Sequence, residues 1–200
     1  MTAQIRDEIS IDDRRYAIEQ CSNREGWFEP TAYGVYPEAA SSACVRGFHC
    51  AYTIRERQLL LTSVNISPNM SDRLKLKYDR STRTLLGKSP EIDKSWVGTP
   101  WIYRDLCHAI NYTGGILICN NAVATQLGIV SGHPTIYLFE SVFEAIFELG
   151  FLIELIDYSK QMAEVRDRVI AERPETTLSW DFSLYDRERQ ILAEAFQCKY

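Results

Sequence analysis

Few side chains in this 200-residue chain could do more than pack, and several fall within one stretch, Ala43–Ile66. It holds Cys44, Arg46, His49 and Cys50, that is, two of the six cysteines and one of the three histidines. Side chains on a strand alternate between faces. Phe48, Cys50, Tyr52 and Ile54 therefore share one face, and His49, Ala51, Thr53 and Arg55 the other. Arg46 has the parity of Phe48, so a regular strand would drive its guanidinium into the apolar face. Gly47 offers the way out, because a strand glycine marks a bulge or kink and one extra residue reverses the parity upstream. The expectation is a bulge or kink at Gly47, with the guanidinium at least partly buried against a carboxylate or loop carbonyls. Such an arginine either anchors an anionic group or pins a neighbouring loop. In the first role Arg46 and His49 hold the anion, and Trp27 or Tyr33 stacks above it.

Other constellations carry less. Neighbouring strand residues face opposite ways, so neither His49 with Cys50 nor Cys107 with His108 can act as a pair. No Cys-x-x-Cys or other ligand spacing supports zinc, and neither a metal nor a cofactor is expected. The nucleophile elbow, the Walker loop, the dinucleotide fingerprint and His-Glu-x-x-His have no match here. Thr113-Gly114-Gly115 leads into an apolar strand rather than a helix amino terminus, which is poor ground for phosphate. Glu144 and Glu154 are either a carboxylate pair for acid–base work or solvated ion pairs. Without a catalytic constellation, the reading favours a binding protein over an enzyme.

The elements that must position these residues read as one α+β domain over 1–200: an antiparallel β-rich sheet or partly closed barrel, with two packing helices in 159–200. An opening hairpin spans 8–19. Residues 21–42 form a long connection bearing Trp27, Phe28, Tyr33 and Tyr36, which serve as a ligand-stacking lip or as a lid on the core. The central hairpin turns near Glu56-Arg57-Gln58. On its return strand Leu60, Thr62, Val64 and Ile66 alternate with Leu59, Leu61, Ser63 and Asn65. Arg73–Tyr78 alternates as a strand with Arg73, Lys75 and Lys77 on one face. That is a lysine-guarded edge or a small anion or nucleic-acid contact, and without interleaved aromatics nucleic acid is not expected.

Residues 80–100 are a polar excursion. A strand over 106–112 precedes a buried strand at Ile116–Cys119, and 120–129 is a short helix or an irregular strand. Gly132-His133-Pro134 is a turn. A second hairpin joins Val142–Glu148 to Phe151–Ile156 through Leu149-Gly150, with Phe143, Ala145, Phe147, Phe151, Ile153 and Leu155 facing inward. Ser159 caps a helix carrying Met162, Val165 and Val169 and closed by Pro174. A last helix opens on a Ser183/Asp186 capping box. Its apolar stripe docks on the sheet or on a second subunit as a homodimer contact.

The net charge is −5, so the chain is no general polyanion binder. Residues 55–94 hold nine Lys/Arg against five Asp/Glu, which leaves the remainder at −9. The amino terminus lacks the apolar core of a signal peptide, and no apolar run approaches the ~20 residues of a membrane span. The expectation is a cytoplasmic protein with reduced thiols and no membrane partner.

At Ser42–Ile54, Tyr112–Ile118 and Val142–Gly150 the chain resembles a group of bacterial cytoplasmic proteins without an established activity. These carry an Arg-Gly-Tyr strand, a Gly-Gly-Leu-Leu-Ile strand and a closing hairpin; Phe48 stands here in place of the tyrosine. The resemblance implies an immunity protein, an inhibitor or a small accessory protein. Such a protein masks a partner's basic site with an acidic surface. The alternative is a small-ligand-binding domain or hydrolase acting on an anionic metabolite or nucleotide.

Overall fold

The structure, a computed structural model, describes residues 4–79, 82–93, 98–123, 136–172, 182–195 and 197–199. Three hairpins organise it. β1 (Glu8–Ile11) and β2 (Arg14–Cys21) join through Asp12-Asp13. β3 (Phe48–Arg55) and β4 (Gln58–Ile66) join through Glu56-Arg57, and β9 (Phe139–Glu148) and β10 (Phe151–Asp157) through Leu149-Gly150. All six turn residues have positive φ, from 48° to 84°. This is the two-residue turn whose twist matches that of its strands. Between the second and third hairpins lie β5 (Glu91–Ile92), β6 (Trp101–Tyr103), β7 (His108–Ala109) and β8 (Gly114–Ala122).

Seven strands close into a barrel in the order β10-β9-β8-β2-β1-β3-β4, with Phe151 of β10 returning to Gln58 of β4. A closed ring of strictly antiparallel neighbours needs an even number of strands, because direction alternates around it. Seven forces a parallel pair, and it is β1 with β3: Glu8 opposite Ala51, Ile9 opposite Tyr52 and Ser10 opposite Thr53. The expected α+β barrel is present, but it is not antiparallel throughout. Beyond Gln58, the same edge of β4 takes β7 at Leu60–Leu61 and β6 at Val64–Ile66.

One bulge changes the facing along β4, and a second lies within β10. Ala51 opposes Ser63 while Tyr52 opposes Leu61, so Thr62 is an extra residue, and its hydroxyl donates to Ala51 O at 2.9 Å. The parity of β4 switches there, and Leu59, Leu61, Val64 and Ile66 all point into the core. On β10, Leu152 opposes Phe147 and Glu154 opposes Ile146, which makes Ile153 the extra residue. Phe143, Ala145 and Phe147 do face the barrel core. Phe151, Ile153 and Leu155 do not; they are 47%, 51% and 41% exposed.

β8 is buried on both faces. Ile116 and Ile118 belong to the barrel core, and Leu117 and Cys119 to a second apolar layer outside it. The helices α2 (Ser159–Glu172) and α3 (Phe182–Ala195) cover that layer with Met162, Val165, Val169 and Ile191. At least part of the last helix's stripe thus docks on the chain's own sheet. Ser159 does not cap α2; its hydroxyl accepts from the Val142 N–H at 3.1 Å.

The alternating Arg73–Tyr78 stretch is a helix, α1 (Met70–Asp79), not an edge strand. Asn69 caps it, with Oδ1 accepting from the Asp72 N–H at 2.9 Å and Nδ2 donating to Asp72 Oδ2 at 3.2 Å. Leu, Lys and Arg are all good helix formers, so the cap decides. The strand expected over 106–112 shrinks to β7, because Asp105 and Cys107 adopt positive φ of 51° and 47°. Residues 120–122 extend β8, while 124–135 with the Gly132 turn, Pro174 and the Ser183/Asp186 side chains lie outside the described residues.

Candidate functional site

Arg46 sits in the turn before β3, outside the strand, which removes the parity conflict. Gly47 makes the kink at φ +73°, and a Cβ there would stand 2.1 Å from Glu38 O, so the turn packs against backbone only because it carries glycine. The kink sends the guanidinium onto Asp7. Nη1 donates to Oδ2 at 3.1 Å and Nη2 to Oδ1 at 2.8 Å. Oδ1 also accepts from the Cys50 N–H at 2.8 Å. The Asp7 side chain is 8% exposed and that of Arg46 31%. The guanidinium lies 4.7 Å from the centre of the Phe48 ring. Burial pulls the pKa of Arg46 down, but the hydrogen bonds and charge of Asp7 outweigh it and the group ends above its ordinary value.

Beside this pair a cavity of about 450 Å³ opens where β1 begins, β2 ends and β3 begins. Two further arginines line it. Arg6 pairs with Glu19 at 2.8 Å across the first hairpin. Arg24 lies on the loop after β2, exposed and without an ion pair among the described residues. Trp27 forms a wall, its ring 4.6 Å from Tyr52 and 5.2 Å, edge-on, from Tyr112. Three guanidiniums thus meet two carboxylates around one space.

Cys21 also lines the cavity. Burial and the Asp7 charge push its thiol up to about 11, against the opposing pull of Arg24 and Arg46. It is a protonated thiol at neutral pH and no nucleophile. Among the described residues lining the cavity, the guanidiniums, the carboxylates and the indole are groups that can bind and orient a ligand.

Of the four residues singled out in sequence, Arg46 and Trp27 come together here and the other two go elsewhere. His49 points away from Cys50 on β3, opposite Asn65 of β4, with Nδ1 buried and without a hydrogen-bond partner. Burial lowers its pKa, and Asp7 and Glu8 oppose that shift. Tyr33 stacks on Phe28 at 5.4 Å, and its hydroxyl meets His108 Nε2 at 2.9 Å. Neither His49 nor Tyr33 lines the cavity beside Arg46. Glu144 and Glu154 are not a catalytic pair either. Glu144 is buried and accepts from the Tyr158 hydroxyl and the Lys199 N–H, and Glu154 pairs with the Lys199 ammonium.

Sequence reading missed Arg6, Asp7, Glu19 and Arg24. Part of the signal was there: residues facing across the first hairpin are paired as Glu8 with Ala17 and Ile9 with Tyr16. The same register sets Arg6 opposite Glu19, an opposite-charge cross-strand pair. Among the described residues no group of three or more His, Cys, Asp or Glu is placed to hold a metal ion, and no helix is long and apolar enough to cross a membrane. No family model, curated protein or solved structure matches the chain.

Proposed function

We propose that this chain is a non-catalytic binding protein that takes a small anion into the cavity beside Arg46. One observation carries the reading: the Arg46 guanidinium is held by Asp7 yet keeps donors to spare. It has five N–H groups and gives two of them to Asp7. The Arg46 side chain lines the cavity beside Arg24 and Trp27. A fork fixed before the ligand arrives costs little to order on binding.

A thermal-shift panel of small carboxylates and phosphates tests this. A ligand at 100 times its Kd stabilises by about 2.7 kcal/mol. Arg24→Gln should lose that shift while keeping the unliganded melting temperature, because the side chain is exposed. A panel that produces no shift removes the support for anion binding.

A second reading, a protein-masking or immunity role, is favoured by the outer strip of β10. Leu149, Phe151, Ile153 and Leu155 are exposed there beside Glu148 and Glu154. An apolar strip with an acidic margin suits a basic partner with an apolar centre. Under this reading, affinity purification returns one stoichiometric protein, and Phe151→Asp with Ile153→Asp releases it. Purification that repeatedly returns the chain alone counts against it.

A further inference from the structure

Resting on the anion-binding reading, we infer that the ligand of this cavity is a monoanion with a flat apolar body, an aromatic carboxylate in chemistry, rather than a phosphate. The charge balance comes first. Arg46 is neutralised by Asp7 and Arg6 by Glu19, which leaves Arg24 as the cation without an ion pair among the described residues. One excess positive charge matches one negative charge on the ligand. A second negative charge would lie close to Asp7 and Glu19, which line the same space, and like charges at short range repel.

A guanidinium fork takes a carboxylate or a phosphate alike through two parallel N–H bonds, so the charge balance decides between them. Trp27 supplies the rest of the recognition. Tyr52 and Tyr112, both fully buried, brace the indole, so it cannot swing aside, and its remaining surface is a fixed aromatic wall. Such a wall rewards a flat ring held in offset or edge-on contact. The volume, about 450 Å³, suits one small molecule rather than a polymer segment.

The test is isothermal titration of the full chain with 2-naphthoate, cyclohexanecarboxylate, 2-naphthamide and inorganic phosphate. Naphthoate should bind at least tenfold more tightly than each of the other three. Arg24→Gln should bring naphthoate down to the level of the uncharged amide. Trp27→Phe keeps a ring in place and should retain most of the affinity, whereas Trp27→Leu should lose about tenfold for naphthoate and little for cyclohexanecarboxylate. Urea melts of each variant separate lost folding from lost binding. Phosphate binding as tightly as naphthoate overturns this inference and leaves the anion-binding reading standing. Naphthoate binding that is indifferent to Trp27→Leu also overturns it. Silence from every probe removes both.

Discussion

Replacing Arg46 by methionine isolates what its ion pair contributes. Methionine keeps an apolar stem against Phe48 and removes the charge. Asp7 would then be left as a buried carboxylate whose Oδ1 still accepts from the Cys50 N–H but whose Oδ2 has lost its donor. Removing one partner of a buried pair costs about 3–5 kcal/mol. The Arg46 side chain is 31% exposed, so water shares part of the load, and we expect the lower end, about 3 kcal/mol. Asp7→Asn keeps an oxygen for the Cys50 N–H and removes the charge from the other side. The double variant carries no stranded charge, so its loss should fall short of the sum of the two single losses by about 2 kcal/mol. Urea denaturation with linear extrapolation measures all four proteins. Losses that add to within about 0.5 kcal/mol would refute the claim that the two side chains act as one buried unit.

Gly34 and Gly47 share nearly the same φ, +75° and +73°, but a Cβ at Gly34 meets nothing within 4 Å and one at Gly47 meets Glu38 O at 2.1 Å. Gly34→Ala should cost about 1 kcal/mol from backbone alone. Gly47→Ala should cost at least about 2 kcal/mol more in denaturant melts, because the backbone it strikes has to move. Iodoacetamide at pH 8 should alkylate the exposed Cys107 first, as read by peptide mass spectrometry. Burial pushes Cys21 to about 11 and Cys119 to about 12, so even Cys21 is only about one part in a thousand thiolate at that pH. His49 gives a pH signature. Its folded pKa lies below the ordinary 6.5 because of burial, so the unfolded chain binds its proton more readily. Stability should therefore fall as pH drops from about 6.5 through the folded value, and His49→Gln should flatten that slope in melts between pH 7 and 5.

The three hairpins were legible because alternation and turn residues are local. What a bulge does is not local. Thr62 and Ile153 look like ordinary strand residues, and only the partner strand reveals that two residues face one. The expectation that Phe151 and Ile153 point inward failed at the turn instead, because two turn residues set Phe151 opposite Glu148, on the face away from Phe147. α1 was misread because Arg-Leu-Lys-Leu-Lys-Tyr suits either period, and the deciding Asn69…Asp72 cap stands just outside it. Within the site, the burial of Arg46 followed from the sequence, but its partner did not. Asp7 lies 39 residues away and reaches Arg46 only because β1 runs parallel to β3. His49 is grouped with Arg46 by proximity in the chain and Tyr33 as a stacking aromatic, and strand facing and the 3-10 helix Pro30–Tyr33 set them apart.

The seam between β10 and β4 has a consequence for how the chain comes into being. The first four strands form a sheet fragment whose free edges are β2 and β4. β8 later adds to β2, but β4 takes β10 only after Phe151 has been made. At ~5–20 residues per second, synthesis from Ile66 to Phe151 lasts about 4–17 s. For the first part of that interval, until β6 and β7 have been made, the nascent chain carries a leucine-rich strand whose outer backbone is uncovered. A ribosome-bound fragment ending before Trp101 is thus the species most exposed to pairing with a stray strand, and the one for which a chaperone would matter most.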